Sequence, residues 1–259
     1  GWTNYCVANT PPTVSITSPV NNASFTAPAS ITINADATDA DGTVTKVDFY
    51  NGSTLIGSDA TSPFGYTWTN VQEGTDTIKA VATDNKGASS SSTAIIITIQ
   101  RMQNFTLLSG WNLISFNIIP SDSSVSSVFN SLDGNLLVVK NTDAFYSPSQ
   151  NAVFNSLTKI KRGDAYLVQL KNDQSFSVTG KSITAGTYLL KKGWNMSGYP
   201  KQTSTPINTA ISGIVTQFEA AKNFDGFYIK NGGSPNSITN FEPGKGYFIN
   251  VNSDVTISW

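Results

Sequence analysis

The chain has 259 residues, a net charge of −1, no His and a single Cys. Charged residues make up 13%, about half the ~25% usual for soluble domains, and no basic run is present, so nucleic acid is not an expected partner. Without His, Ser-His-Asp and Cys-His catalysis and His-based zinc sites are excluded within this chain, and one Cys excludes an internal disulfide framework.

The length suggests two or three domains. No apolar run approaches ~18 residues, so no membrane-spanning helix is expected. The chain starts at Gly1 without a visible leader and reads as an excised fragment or a mature product. Residues 1–10 read as the tail of a preceding domain or a linker. They hold Trp2, Tyr5 and Cys6 and end before Pro11-Pro12. Cys6 is either a plain free thiol or a half-cystine separated from its partner.

Residues 11–101 carry short β-rich runs at 13–18, 31–37, 44–50, 53–57, 64–71, 75–83 and 94–100. Short strands at this rhythm, divided by turn clusters, predict an immunoglobulin-like β-sandwich. Alternation puts Val47 and Phe49 on one face, and likewise Phe64, Tyr66 and Trp68. We read the latter set as the inner face of the sandwich rather than a sugar platform. Asp39 and Asp41, beside Gly42, and Asp84, beside Asn85, can converge at one end. Two readings stay open there: a Ca²⁺ site of carboxylates and carbonyls, or ordinary turn formers.

Arg101-Met-Gln-Asn104 reads as a short linker. Residues 104–259 are two copies of one unit, 104–180 and 181–259. Gly110-Trp111-Asn112 in the first matches Gly193-Trp194-Asn195 in the second. Lys140-Asn141-Thr-Asp143-Ala-Phe145-Tyr146 follows its Trp by 29 residues, and Lys222-Asn223-Phe-Asp225-Gly-Phe227-Tyr228 by 28. Arg162-Gly163-Asp-Ala-Tyr166 then faces Pro243-Gly244-Lys-Gly-Tyr247. Each copy predicts a strand through the Trp, one short helix and three or four further strands. The helices rest on Val125, Val128, Phe129 and Leu132, and on Ile207, Ala210, Ile211 and Ile214, at i, i+3, i+4, i+7. Pro206 suits the first helical position with Thr205 as cap. The fold class is therefore mainly β: an Ig-like sandwich followed by a duplicated β-rich module with one short helix per copy.

Trp111 and Trp194 sit in apolar strands and are expected in the core. Adjacent Phe and Tyr on a strand point to opposite faces. With Phe145 and Phe227 facing inward, Tyr146 and Tyr228 lie outside. Beside them stand Lys140, Asn141 and Asp143, and Lys222, Asn223 and Asp225. A ring flanked by these polar groups suits a sugar, whose apolar face stacks while its hydroxyls are hydrogen-bonded. The alternative is that the acids make turns and the lysines are solvated. Tyr166 and Tyr247 either line the same groove or fill the core. Trp259 either binds or closes the module. Glycosidases need two carboxyls at a cleft, and Asp143 with Asp164, or Asp225 with Glu242, are the candidate pairs. Symmetric duplication fits two equivalent binding sites better, so an enzyme is not expected.

Pro12-Thr-Val-Ser-Ile-Thr-Ser-Pro19, Ala40-Asp-Gly-Thr-Val-Thr-Lys-Val-Asp-Phe-Tyr50 and Ala82-Thr-Asp-Asn-Lys-Gly87 resemble bacterial Ig-like linker domains. Such domains lie between modules of secreted glycoside hydrolases, notably in Bacteroidota. The resemblance implies secretion, to the medium or the cell surface. Gly-Trp-Asn-Leu-Ile-Ser115 and the Gly-x-x-Tyr blocks resemble a bacterial repeat of C-terminal modules in secreted enzymes and surface proteins. Copy two keeps Pro243-Gly244-Lys-Gly246-Tyr247, whereas copy one departs with Arg162-Gly163-Asp164-Ala165. Together these readings imply a monomeric, non-catalytic region binding a polysaccharide such as cellulose, chitin or xylan. The alternative is a structural, adhesive or protein-docking surface module.

Overall fold

The computed structural model describes residues 8–183, 185–232 and 235–259. The stub with Cys6 lies outside the described residues. The chain forms two units, the second running Arg101–Trp259.

In the first unit one antiparallel sheet has the order Thr13–Ser18, Ala29–Thr38, Phe64–Val71. The other is built on Thr54–Asp59, Val44–Asn51 and Gly74–Asp84, with the strand that begins at Ile95 beyond them. Ala29–Thr38 buries every second residue over most of its length, as period-two patterning requires of a half-buried strand. Ile31 and Ile33 from one sheet meet Val47, Phe49, Ile78, Ala80 and Ile97 from the other. Phe64, Tyr66 and Trp68 pack on this core, the last two partly buried. Two short strands escape the sequence rhythm. Ala23–Thr26 runs parallel to the Ile95 strand, and Ser89–Ser91 pairs with Gly74–Asp84.

In the second unit each copy contributes a four-stranded antiparallel sheet and its own core. Copy one has the order Gly110–Ser115, Ala165–Leu170, Leu136–Lys140, Phe145–Tyr146. Copy two repeats it with Gly193–Gly198, Gly246–Val251, Phe218–Lys222, Phe227–Ile229. A second layer covers the inner face. In copy one Leu107 pairs with Gln174 and Arg101 with Gly180, so the residues expected as a linker are sheet residues. In copy two Thr187–Leu190 pairs with Val255–Ser258.

The helices form where the apolar spacing puts them, but each is one α turn followed by one 3₁₀ turn. Val125–Val128 passes into Asn130–Leu132, and Ile207–Ala210 into Ser212–Ile214. Val125, Phe129 and Leu132 are buried in one core, and Ile207, Ile211 and Ile214 in the other. The expected Thr205 cap is corrected. Thr205–Pro206 is extended and pairs with Asn240–Phe241, leaving Pro206 at the N-cap position, and Ile207 N–H donates to Thr239 O at 2.8 Å.

The copies are joined by reciprocal backbone bonds. Ser115 N–H donates to Gly244 O and Gly198 N–H donates to Gly163 O, each at 2.8 Å. Ser115 and Gly198 hold equivalent places, five residues after Gly110 and Gly193. Ser115 Oγ donates to Lys245 O at 2.8 Å and accepts from Tyr199 N–H at 3.2 Å. A Cβ on Gly198 would lie 2.7 Å from Ser115 Cβ, and one on Gly246 would lie 2.8 Å from Ala165 Cβ. The backbones approach too closely at both points for a second side chain.

Trp259 is a core residue, not a ligand-binding one. It is 5% exposed, with ring centroids 5.3 Å from Tyr199 and 5.1 Å from Phe241 in edge-on contacts. Removing a buried Trp costs roughly 3–5 kcal/mol through lost transfer energy and a cavity. Trp259→Ala is therefore expected to lower the melting temperature of the Arg101–Trp259 unit in calorimetry. An unchanged transition would place Trp259 outside the core.

Candidate functional site

The Gly-Trp-Asn motif is a device for turning a Trp outward. Gly110 and Gly193 have φ of +84° and +95°, a region that side chains other than glycine's rarely adopt. Two residues on, Asn112 folds back over the turn. Its Oδ1 accepts from Leu108 N–H at 3.0 Å and its Nδ2 donates to Leu108 O at 2.7 Å. Asn195 holds Lys191 the same way, at 2.8 and 2.7 Å. With each Asn held against its own turn and Ile114 buried beyond it, alternation sends the Trp to the opposite face. The expected core placement of the two rings is corrected: Trp111 is 40% exposed and Trp194 53%.

Cross-strand register assembles the rest of this outer face. Lys140 pairs with Leu167 and Phe145, and Lys222 with Phe248 and Phe227. The lysines lean over the tryptophans, with Nζ 4.7 Å from the Trp111 centroid and 4.6 Å from that of Trp194. These are cation–π distances. Phe145 and Phe227 are exposed, reversing the expected order of the Phe-Tyr pairs. The reason is register. Tyr146 pairs with Val139 and Tyr228 with Ala221, both fully buried, so the tyrosines share the inward face. Each packs against its copy's core while keeping part of its surface open.

The Asn-x-Asp segments are turns placed at the joint between copies. Asn141 Oδ1 accepts from Asp143 N–H at 3.0 Å and Ala144 N–H at 2.9 Å. Asn223 does the same for Asp225 and Gly226, at 2.9 and 3.1 Å. These are Asx turns, in which the side chain replaces a backbone acceptor. Two grooves result, each shared by both copies. One, of about 540 Å³, is lined by Trp194 and Met196 of copy two and by Asn141, Asp143 and Asp164 of copy one. The other, of about 510 Å³, is lined by Trp111 and Leu113 of copy one and by Asn223, Asp225 and Lys245 of copy two.

Their charges differ. Asp164 and Lys245 each follow the joint glycine, Gly163 or Gly244, and so hold equivalent places. Lys245 forms an ion pair with Asp225. Asp164 instead accepts from Asn141 Nδ2 and Tyr166 O–H, both at 3.3 Å. Burial pushes its carboxyl above the usual range, those two hydrogen bonds oppose the shift, and Asp143 adds to it. The carboxyl pair of Asp143 and Asp164 thus shares one groove. In the other, Asp225 is bound to a cation, and Glu242, which accepts from Ser204 O–H at 2.8 Å, does not line the groove.

Tyr166 and Tyr247 fill the cores. Their hydroxyls accept from Lys161 N–H at 2.7 Å and Glu242 N–H at 2.8 Å, closing the loop before each strand, and burial pushes both phenols up. Tyr247 therefore leaves the candidate site. At the Ig-like unit, Asp39, Asp41 and Asp84 do lie near one another, but a cation of the chain already stands among them. Lys86 Nζ is 2.7 Å from Asp41 Oδ2, and that hydrogen bond, with the charges of Asp41, Asp39 and Asp84, raises its pKa. Asp84 accepts from Lys86 N–H, Ala88 N–H and Asn9 Nδ2, and Asp39 from Asp41 N–H. Among the described residues no group of three or more acidic, His or Cys side chains is arranged to hold a metal.

The Trp and Phe rings of the outer face escaped sequence reasoning because apolar residues stand on both faces of these strands. The glycine before each Trp and the Asn after it were the available signal. An exposed Trp held by one Lys contributes about 0.5–1 kcal/mol. Trp111→Ala and Trp194→Ala are therefore each expected to leave the melting temperature nearly unchanged. A loss of several kcal/mol on denaturant unfolding would return these rings to a core role.

No curated protein matches this sequence. Among solved structures, Clostridium thermocellum CbhA fibronectin(III)-like modules share 36% identity with 34% of this chain and 96% of theirs, with a TM-score of 0.33. Carbohydrate-binding modules of a β-sandwich superfamily share 15% identity over 97% of this chain and 96% of theirs, with a TM-score of 0.32. Residues 12–80 match the family model of a bacterial Ig domain, so the family resemblance carried by the sequence motifs of the first unit holds at the level of the Ig-like domain.

Proposed function

We propose that residues 101–259 bind polysaccharide without catalysis, through the outward aromatic faces of the two repeats. The Ig-like domain is the spacer, and the parent protein is a secreted polysaccharide-degrading enzyme. One observation carries this reading: Trp111 with Phe145, and Trp194 with Phe227, stand exposed at equivalent places on both sheets. Large exposed rings are retained where they have a partner. A pyranose ring offers apolar C–H faces for them, and its hydroxyls suit the Asn, Asp and Lys side chains beside them. A polysaccharide repeats its units, so two linked weak sites gain by effective concentration. Retained in the site are Lys140, Asn141, Asp143, Lys222, Asn223 and Asp225. Tyr146 and Tyr228, on the inward face and outside both grooves, leave the site, and Trp111, Trp194, Phe145 and Phe227 replace them as the stacking rings.

The test is retention on insoluble cellulose, chitin and xylan, followed by affinity electrophoresis with soluble glucans and xylans. Stacking contributes about 1 kcal/mol per ring, or roughly fivefold in affinity. Trp111→Ala and Trp194→Ala are each expected to weaken retention several-fold, and the double variant to lose it. Absence of binding to every polysaccharide would overturn this reading in favour of a structural or protein-docking module.

A further inference from the structure

The two grooves are built alike and charged differently. In the Trp111 groove the Asp225 carboxylate holds the Lys245 ammonium. In the Trp194 groove the equivalent acid, Asp143, has no ion pair or side-chain hydrogen bond among the described residues. The place of Lys245 is taken by a second acid, Asp164. The ammonium lining this groove, Lys191, is bound to Asp254 at 2.9 Å. Arg162 nearby donates to Tyr188 Oη at 3.2 Å, and Lys222 lies over the Trp194 ring. Lys161 acts on Asp164 only as a nearby charge. One groove therefore pairs its acid with an ammonium, whereas in the other the nearby ammonium groups are engaged elsewhere and Asp143 has no such partner.

Resting on the saccharide reading above, we propose that the Trp194 groove takes a sugar carrying a free protonated amine. The ring stacks on Trp194 and the ammonium lies between Asp143 and Asp164, where Lys245 meets Asp225 in the other groove. The Trp111 groove, already neutralised, takes an uncharged sugar of the same chain. The site is incomplete in either copy alone, since Trp194 comes from copy two and both acids from copy one. A partly N-acetylated amino-sugar polymer presents both kinds of unit on one strand.

The probes are the hexamers of glucosamine and of N-acetylglucosamine, which share a backbone and differ in charge. Binding is measured by titration calorimetry near pH 6 in about 0.1 M salt. A charge-assisted hydrogen bond favours the free-amine hexamer by about tenfold. Asp143→Asn is expected to remove that preference by weakening the free-amine hexamer about tenfold more than the acetylated one. Asp164→Lys, which gives copy one the arrangement of copy two, is expected to remove it as well. Trp194→Ala should abolish the preference, while Trp111→Ala and Asp225→Asn should keep it. Asp143 is exposed on its turn, so its variant tests binding rather than folding. Equal affinity for the two hexamers would overturn the inference, as would a preference that survives every single substitution, the mark of non-specific attraction of a polycation. If neither hexamer binds but cellulose or xylan is retained, the amine assignment fails and the saccharide reading stands. If no polysaccharide is retained, both fail.

Discussion

The close backbone approach between the copies is the constraint on which the rest of the module depends. Two N–H···O=C bonds, Ser115 to Gly244 and Gly198 to Gly163, tie the Trp strand of each copy to the loop before the Tyr strand of the other. That exchange is reciprocal, so one geometry is used twice. It also sets the Asx turn of one copy beside the Trp of its neighbour. The polar wall of each groove therefore comes from the other copy across this joint.

The same joint limits how alike the copies can be. At both close contacts there is room for one side chain: Ser115 faces Gly198, and Ala165 faces Gly246. Duplicated sequence at these points would collide or leave a gap, so one copy keeps the side chain and the other glycine. The Pro-Gly-Lys-Gly-Tyr block of copy two and the Arg-Gly-Asp-Ala-Tyr block of copy one thus differ for a packing reason at the last position before Tyr. One residue earlier, Asp164 and Lys245 are free of that steric rule, and their opposite charges give the two grooves different chemistry.

Much of the architecture was legible in the sequence. Period-two runs located the strands of the Ig-like unit, and i, i+3, i+4, i+7 spacing located both helices, because those patterns follow from burying one face. Orientation within the repeat was less legible. The exposed Trp111 and the buried Leu113 share one face of their strand and the buried Ile114 lies on the other, so apolar character occurs on both sides and periodicity is silent. Placing Phe145 and Tyr146 required knowing that Lys140 and Val139 oppose them, and strand register is a tertiary fact. The acids of the Ig-like unit were read as convergent, and they are. What the sequence could not supply was Lys86 reaching across from its own turn to sit among them.

The recurring motifs divide into those that build and those that present. Gly-Trp-Asn builds with Gly and Asn and presents Trp. Asn-x-Asp builds with Asn, whose Oδ1 is used twice by backbone amides, and presents Asp. Gly-x-x-Tyr only builds, since its phenol closes a loop inside the core. A residue repeated in both copies is therefore not by itself a ligand contact. The useful distinction is whether its polar atoms are already engaged: in Asn112, Asn195, Tyr166 and Tyr247 they are, whereas the Trp rings and the Asp143 carboxylate retain open surface. That distinction moves the candidate site from the tyrosines to the tryptophans.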